Sequence, residues 1–389
     1  MCARTLTATM GADSKTRVDG TDGDGEGDEA ARPVERLAAF VSSLSYGDLS
    51  AEDVRSTERA FIDTCGVIVS GMEEESTKTA IEALAEPGAV PLWGTDRETT
   101  TAAAALVGGV AGHSQDYDDV SWGMSGHPSV TMLPAILALA EGGDVDGRRA
   151  IEAYVAGLEA QCFLSAAINP GHYRTGWHST ATFGTFGAAA AAAHLLGLDE
   201  DRTRNALTVA ASMPAGLKRN FGTTTKPVHA GNAARAGLTA ALAAAEGATG
   251  DPDAIGGEGG FFELYGGDGP PDLDALPALG ERWALVEDGV HVKKYPCCYF
   301  AQPSMAAARA LVETHDIDPA DVDRIHVVTN GKSRRVLRYE DPGTGLEAKF
   351  SMPYAVASVV VRDRVGLDAF EDDAVDDPDV DAVRERVTF

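Results

Sequence analysis

The chain has 389 residues, 44% of them hydrophobic, which is enough for one large domain plus a smaller one around a real core and excludes a wholly disordered protein. Sixty acidic residues against 32 basic ones give a formal net charge of -28, a poor match for nucleic acid, whose phosphates are held through Lys and Arg. Spread over nearly every surface segment, that acid resembles adaptation to high salt, where screening tolerates self-repulsion.

Residues 1–32 combine Gly, Asp, Glu and Thr with few large apolar side chains, so they read as a disordered acidic tail. The N-terminus lacks the basic-then-apolar pattern of a secretory signal, and five scattered cysteines form no paired framework, which points to reduced thiols in a cytoplasm. Apolar runs are broken by Gly, His and charge before the roughly 18 to 20 residues of a membrane span, so no membrane is expected.

Residues 33–275 read as a helical domain. Ser50 caps a helix from Ala51 with Glu52 and Asp53 in its first turn, and Val54, Ala60, Phe61, Cys65 and Val69 are its buried candidates. Further helices are predicted at 99–112, 129–142, 146–168, 180–196, 199–213 and 230–246, with Ala-rich, Gly-punctuated faces suited to close helix packing. After a Gly-, Pro- and Asp-rich loop the texture changes. Val290, His291 and Val292 read as a strand, followed by a helix near 303–315, a strand over Arg324–Thr329 and a helix near 352–363, so residues 276–389 are expected to form an α/β lid domain. The overall class is mainly α, a large all-helical domain with a smaller α/β lid.

Four segments carry candidate chemistry. Asp116, Asp118 and Asp119 lie within four residues and precede a Gly-containing loop ending in His127-Pro128-Ser129, which sets acids beside a His at a helix entrance. An acid-rich surface loop would look similar, but does not need Tyr117, Trp122 or a helix-leading His-Pro-Ser. A magnesium site is disfavoured because no second acidic motif stands at a matching helix position. His178, in Gly176-Trp177-His178-Ser179, sits at a second helix entrance. Lys226, before Pro227-Val228-His229, and Lys293-Lys294, before Tyr295-Pro296-Cys297-Cys298, suggest a cationic pocket for an anion in a lysine-poor, acidic chain. The adjacent cysteines lack zinc or redox spacing and are taken as packing residues. Hydrolase elbow, dinucleotide fingerprint, phosphate loop and zinc-protease motif are all absent from the sequence.

In their order along the chain, Asp116-Tyr117-Asp118-Asp119, His127-Pro128-Ser129, Trp177-His178, Lys226 to Gly231, Lys293 to Cys298 and Ser351-Met352-Pro353-Tyr354 resemble the MmgE/PrpD family, from about residue 33 onward. That family includes 2-methylcitrate dehydratase, cis-aconitate decarboxylase and iminodisuccinate epimerase. The resemblance implies a helical domain with an α/β lid, a homodimer, and an active site without cofactor or metal, at which Asp116, His127, His178, Lys226, Lys293 and Tyr354 match the family's positions. Three departures stand out: Val120 where many members have Thr, Gln302 where a His commonly follows the cysteines, and a C-terminus some tens of residues short.

The implied chemistry is dehydration of 2-methylcitrate or a close analogue. Lys226 and Lys293 would stabilise charge building on a carboxylate, His127 and His178 would serve as base and acid, and Asp116 would orient one imidazole. The alternatives are decarboxylation of a cis-aconitate-type acid, epimerisation of an iminodisuccinate-type acid, or a non-catalytic paralogue that only binds or dimerises.

Overall fold

Residues 31–143 and 145–389 are described here by a computed structural model. The tail expected over 1–32 lies almost wholly outside them. The first helix, α1 (Pro33–Ser43), leads into α2 (Ala51–Ser70), where Ser50 accepts from the backbone N–H groups of Glu52 and Asp53 while Asp53 accepts back from Ser50 N. This reciprocal cap fixes the start read from the sequence. Its buried face carries Asp53, Thr57, Ala60, Thr64, Val67 and Ile68, whereas Val69, expected inside, is exposed.

Next come α3 (Glu75–Leu84), a two-residue hairpin of β1 (Val90–Pro91) and β2 (Glu98–Thr99), α4 (Thr101–Ser114), α5 (Ser129–Ala140), α6 (Gly147–Ile168), the short α7 (Gly171–Thr175), α8 (Ser179–Leu196), α9 (Glu200–Ala210) and α10 (Thr225–Ala245). Helix α10 packs between α4 and α8, and α8 also packs on α6. The α4–α10 crossing requires glycine on both sides. A Cβ on Gly109 would stand 2.6 Å from Gly231 Cα, and one on Gly231 would stand 2.3 Å from the Leu106 carbonyl oxygen. That close approach brings the C-terminal end of α4 beside the first turn of α10, five residues earlier than the sequence suggested.

Among the described residues one helix, α6, is long and apolar enough by composition to cross a membrane, where the broken apolar runs of the sequence had led to the expectation of none. Of its most apolar 18-residue stretch 83% is buried within the protein, and it carries the buried Glu159 and Gln161, so its apolar surface is the core's.

Beyond α10 lie α11 (Phe261–Tyr265), α12 (Ala284–Glu287), α13 (Gln302–His315), β3 (Ile325–His326), α14 (Gly331–Val336), α15 (Gly345–Ala348), α16 (Met352–Val361), α17 (Asp372–Val375), α18 (Pro378–Arg384) and β4 (Val387–Thr388). A separate apolar cluster, centred on α16 and including Met305, Val336, Phe350, Val380 and Val387, holds the residues from 295 onward together. The fold is mainly helical, and strand is scarcer than the sequence suggested. Of Arg324–Thr329 only two residues pair, parallel to β4, and Val328 is exposed beyond the ladder. Likewise Val290–Val292 shrinks to one antiparallel bridge between His291 and Val120. That bridge ties the acidic loop after α4 to the segment carrying Lys293.

Candidate active site

Asp116 occupies the turn that ends α4, with φ of 50°, a left-handed conformation that Asp tolerates better than most residues but that still needs support. Support comes from two buried lysines. Lys226 Nζ, on the first turn of α10, donates to Asp116 Oδ1 at 2.9 Å; Lys293 Nζ donates to the same oxygen at 3.0 Å and to the Asp116 carbonyl at 2.7 Å. Burial alone would raise the carboxyl's pKa, but the two ammonium groups overcome it and hold Asp116 well below the usual carboxylate range.

Asp118 is the carboxylate that serves the imidazoles, a role the sequence had suggested for Asp116. His113 Nδ1 lies 2.7 Å from Asp118 Oδ2, and His127 Nδ1 lies 3.2 Å from the same oxygen. Burial pushes His113 down to about 3 despite Asp118, so its ring is neutral, donates through Nδ1 and leaves Nε2 unprotonated and without a partner. Asp118 itself is held well below the usual range by these two histidines, against its burial. His127 Nε2, on the other side of its ring, lies 3.9 Å from Asp116 Oδ1.

His178 precedes the first turn of α8, stacks on His113 with ring centroids 5.6 Å apart, and meets Phe221 edge-on. Its Nδ1 lies 3.1 Å from Nδ1 of His229, on the second turn of α10. Burial, reinforced by His229, holds His178 far below its ordinary value, and burial brings His229 down to about 4. Two neutral rings can share that contact only if one donates and the other accepts. Either arrangement leaves His178 Nε2 as the ring atom free to exchange a proton.

Asp116, His127, His178 and Lys226 therefore converge on one pocket, with Val120, Phe221, Cys298, Tyr299 and Phe350 among its walls. Cys298, taken as a packing residue, faces it, while Cys297 packs against Met305. Lys293 stands behind Asp116 and does not line the pocket; it positions the carboxylate instead of meeting a ligand. Tyr354 is elsewhere. It is fully buried in the C-terminal cluster, and its hydroxyl donates to the Ala369 carbonyl at 2.6 Å, so the structure does not bring it to the other five. Gln302 is also away from the pocket, bracing the turn at Tyr295–Cys297 through Tyr295 N, Tyr295 O and Cys297 O.

Several participants lay outside the sequence reading. His113 sat inside an Ala- and Gly-rich helix, His229 was noted only as part of a motif, and Lys349 was passed over. Lys349 is buried, donates to the Gln115 and Pro296 carbonyls at 2.8 and 3.0 Å, and is brought down to about 8 by burial. The available signal was lysine scarcity: of eight lysines in the chain, Lys218, Lys226 and Lys332 line the pocket, while Lys293 and Lys349 stand behind it.

His113, Asp116, Asp118 and His127 place one ligand-type atom each within 4.8 Å of one another, a set that could be read as a metal site. The donor chemistry argues otherwise. Asp116 Oδ1 already accepts from two ammonium groups, and a dication there would be driven against both. The set fits a proton-transfer cluster.

Comparison with known proteins identifies the family. The family model of the MmgE/PrpD N-terminal domain matches residues 35–274, and that of the C-terminal domain matches residues 295–389. Cis-aconitate decarboxylase of Homo sapiens is 29% identical over 371 residues, covering 91% of this chain and 76% of that protein. The cis-aconitate decarboxylase-like protein oryM of Aspergillus oryzae is 27% identical over 395 residues (95% and 80%), and cis-aconitate decarboxylase of Aspergillus terreus is 24% identical over 382 residues (90% and 77%). With both of its domain models matched in order around this pocket, the chain belongs to the MmgE/PrpD family.

Proposed function

We propose that the protein is a lyase for a small polycarboxylate, working by proton transfer at carbon without a metal. The observation that carries this reading is the placement of His127 and His178 on one pocket, with Lys226 beside them and Asp118 behind His127. Cis-aconitate is the first substrate to test, because the similar proteins are named for its decarboxylation. This moves dehydration of 2-methylcitrate, which led the sequence reading, to second place.

In a decarboxylation the C–C bond to the departing carboxylate breaks, CO₂ leaves, and the electron pair stays on the carbon skeleton. One proton must then be delivered to carbon, which one imidazole can do. Lys226 supplies positive charge near the remaining carboxylates, where negative charge builds in the transition state. Asp116, held as an anion by Lys226 and Lys293, fixes the ammonium in place. Dehydration needs both imidazoles, one removing a proton from carbon and the other protonating the departing hydroxyl, and the same pair can serve it.

The same proposal takes residues 33–275 as body and 276–389 as lid, since the pocket is lined from both, and takes the assembly as a cytoplasmic homodimer. The test is proton NMR of cis-aconitate, 2-methylcitrate, citrate and iminodisuccinate with the purified protein and a His127→Ala control. Consumption of cis-aconitate by the wild type alone supports the reading; a folded wild type that leaves all four unchanged overturns it in favour of a binding or dimerisation partner.

A further inference from the structure

The pocket carries more positive charge than the reaction centre uses. Beside Lys226 it is lined by Arg174, Lys218, Lys332 and Arg335. Lys226 shares the Asp116 carboxylate with Lys293; the other four form no ion pair with a carboxylate among the described residues. In a chain with 60 acidic residues and only 32 basic ones, four unpaired cations around one cavity call for a cause. Helix α14 makes the contrast within a single turn: Arg334 reaches Glu340 at 3.6 Å, whereas Lys332 and Arg335, three residues apart and so on one face, line the pocket unpaired.

Lys218 makes the imbalance sharper. Its Nζ donates to the Tyr173 carbonyl and sits 3.5 Å from the centre of the Tyr173 ring, contacts that hold it in place without neutralising it. Burial and repulsion from Arg335 bring it down to about 8. Like charges held together with no counter-ion are a cost to the empty fold that a bound anion would relieve.

We propose that Lys218 and Arg335, flanked by Arg174 and Lys332, form a second anion subsite at the pocket mouth that holds the carboxylate farthest from the reacting carbon, so that the enzyme selects tricarboxylates over dicarboxylates. The proposal rests on the reading of the pocket as a polycarboxylate lyase site. Arg174 and Lys218 come from the helical region and Lys332 and Arg335 from α14, so a carboxylate here is gripped from both walls. The exposed members interact through water, so the preference should weaken as salt rises.

The test uses two unreactive probes, succinate and tricarballylate, which differ by one –CH₂–COO⁻ arm, titrated calorimetrically into the full chain at low and high salt. Lys332 and Arg335 are exposed and unpaired, so the double variant Lys332→Gln/Arg335→Gln is expected to fold, which circular dichroism checks. The wild type should bind tricarballylate more tightly than succinate; the double variant should lose roughly tenfold or more of that advantage, with succinate changed less than about twofold. A Lys218→Met variant, if folded, should behave alike. Equal binding of the two acids by the wild type, or an advantage that survives in the double variant, overturns the subsite alone. A wild type that binds neither acid overturns the polycarboxylate reading with it.

Discussion

Lys293 holds Asp116 by both side chain and main chain, its Nζ 3.0 Å from Asp116 Oδ1 and 2.7 Å from the Asp116 carbonyl oxygen. The second contact reaches the very residue with positive φ, so the lysine stabilises the turn as well as the charge. Asp116→Asn leaves two buried ammonium groups without their counter-ion, and breaking such a pair costs about 3–5 kcal/mol. Urea unfolding of the variant should show a lower midpoint at unchanged slope. Because the Asp116 pKa is depressed in the fold, its stabilisation is present above the ordinary carboxylate pKa and is lost as pH falls through the folded value; the wild type should therefore weaken in acid more steeply than the variant.

The opposite slope is expected nearer neutrality. Burial raises Asp63 to about 6, Glu159 to about 7 and Asp119 to about 8, with Glu159 accepting from Ala284 N and Leu285 N and Asp119 accepting from Ser129. Below about pH 6.5 the depressed histidines His113, His178 and His229 offset these carboxyls, because the unfolded chain protonates them and the fold does not. Above it, where those rings are neutral in both states, the native state still holds protons on Glu159 and Asp119 that the unfolded chain has lost, so stability falls as pH rises to about 8. Asp119→Asn should flatten the upper part of that fall. Midpoints of chemical unfolding measured at half-unit pH intervals check it, and identical slopes in wild type and variant would contradict it.

Asp118→Asn should lower kcat by about 10²–10⁴ with a much smaller change in KM, the range expected when an oriented imidazole loses its carboxylate. The pH profile separates this from a merely structural loss. Removing the buried negative charge that His113 and His127 both face should displace the pH profile of kcat/KM. A variant with reduced activity and an unmoved profile would assign Asp118 to the fold only.

His229→Phe removes the Nδ1 partner of His178 while keeping an aromatic ring of similar size. We expect a fall in kcat of about tenfold to a hundredfold, with partial rescue in His229→Gln, which keeps a polar group able to donate or accept. Steady-state kinetics on the accepted substrate check this, and equal activity in the two variants would count against it.

The helical part of the fold was legible because its signals are local. Ser50 with Asp53, the Gly-Ala faces of α4 and α10, and Pro or Gly near many helix ends act within a few residues, and the predicted helices at 129–142, 146–168, 180–196 and 303–315 differ from α5, α6, α8 and α13 by two residues or fewer at each end. The strands near 290 and 325 were over-read, because the β-branched residues of Val290–Val292 and Arg324–Thr329 fill loops with short pairing partners. Four of the six named site residues line the pocket, and Lys293 braces it from behind. The roles were less legible than the positions. Nothing in the order Asp116-Tyr117-Asp118-Asp119 says which acid meets lysine and which meets histidine; the left-handed turn at Asp116 decides it. Tyr354 stands beside an N-cap, Ser351, in an apolar helix, and packing placed its hydroxyl toward Ala369.

The most direct test of metal-free proton transfer at this pocket is NMR of cis-aconitate incubated with the enzyme in D₂O containing EDTA. Full activity, with one deuterium placed on carbon in each product molecule and none formed by His127→Ala, is the predicted result. Activity that EDTA abolishes and a divalent ion restores, or product formed without deuterium, would contradict the account.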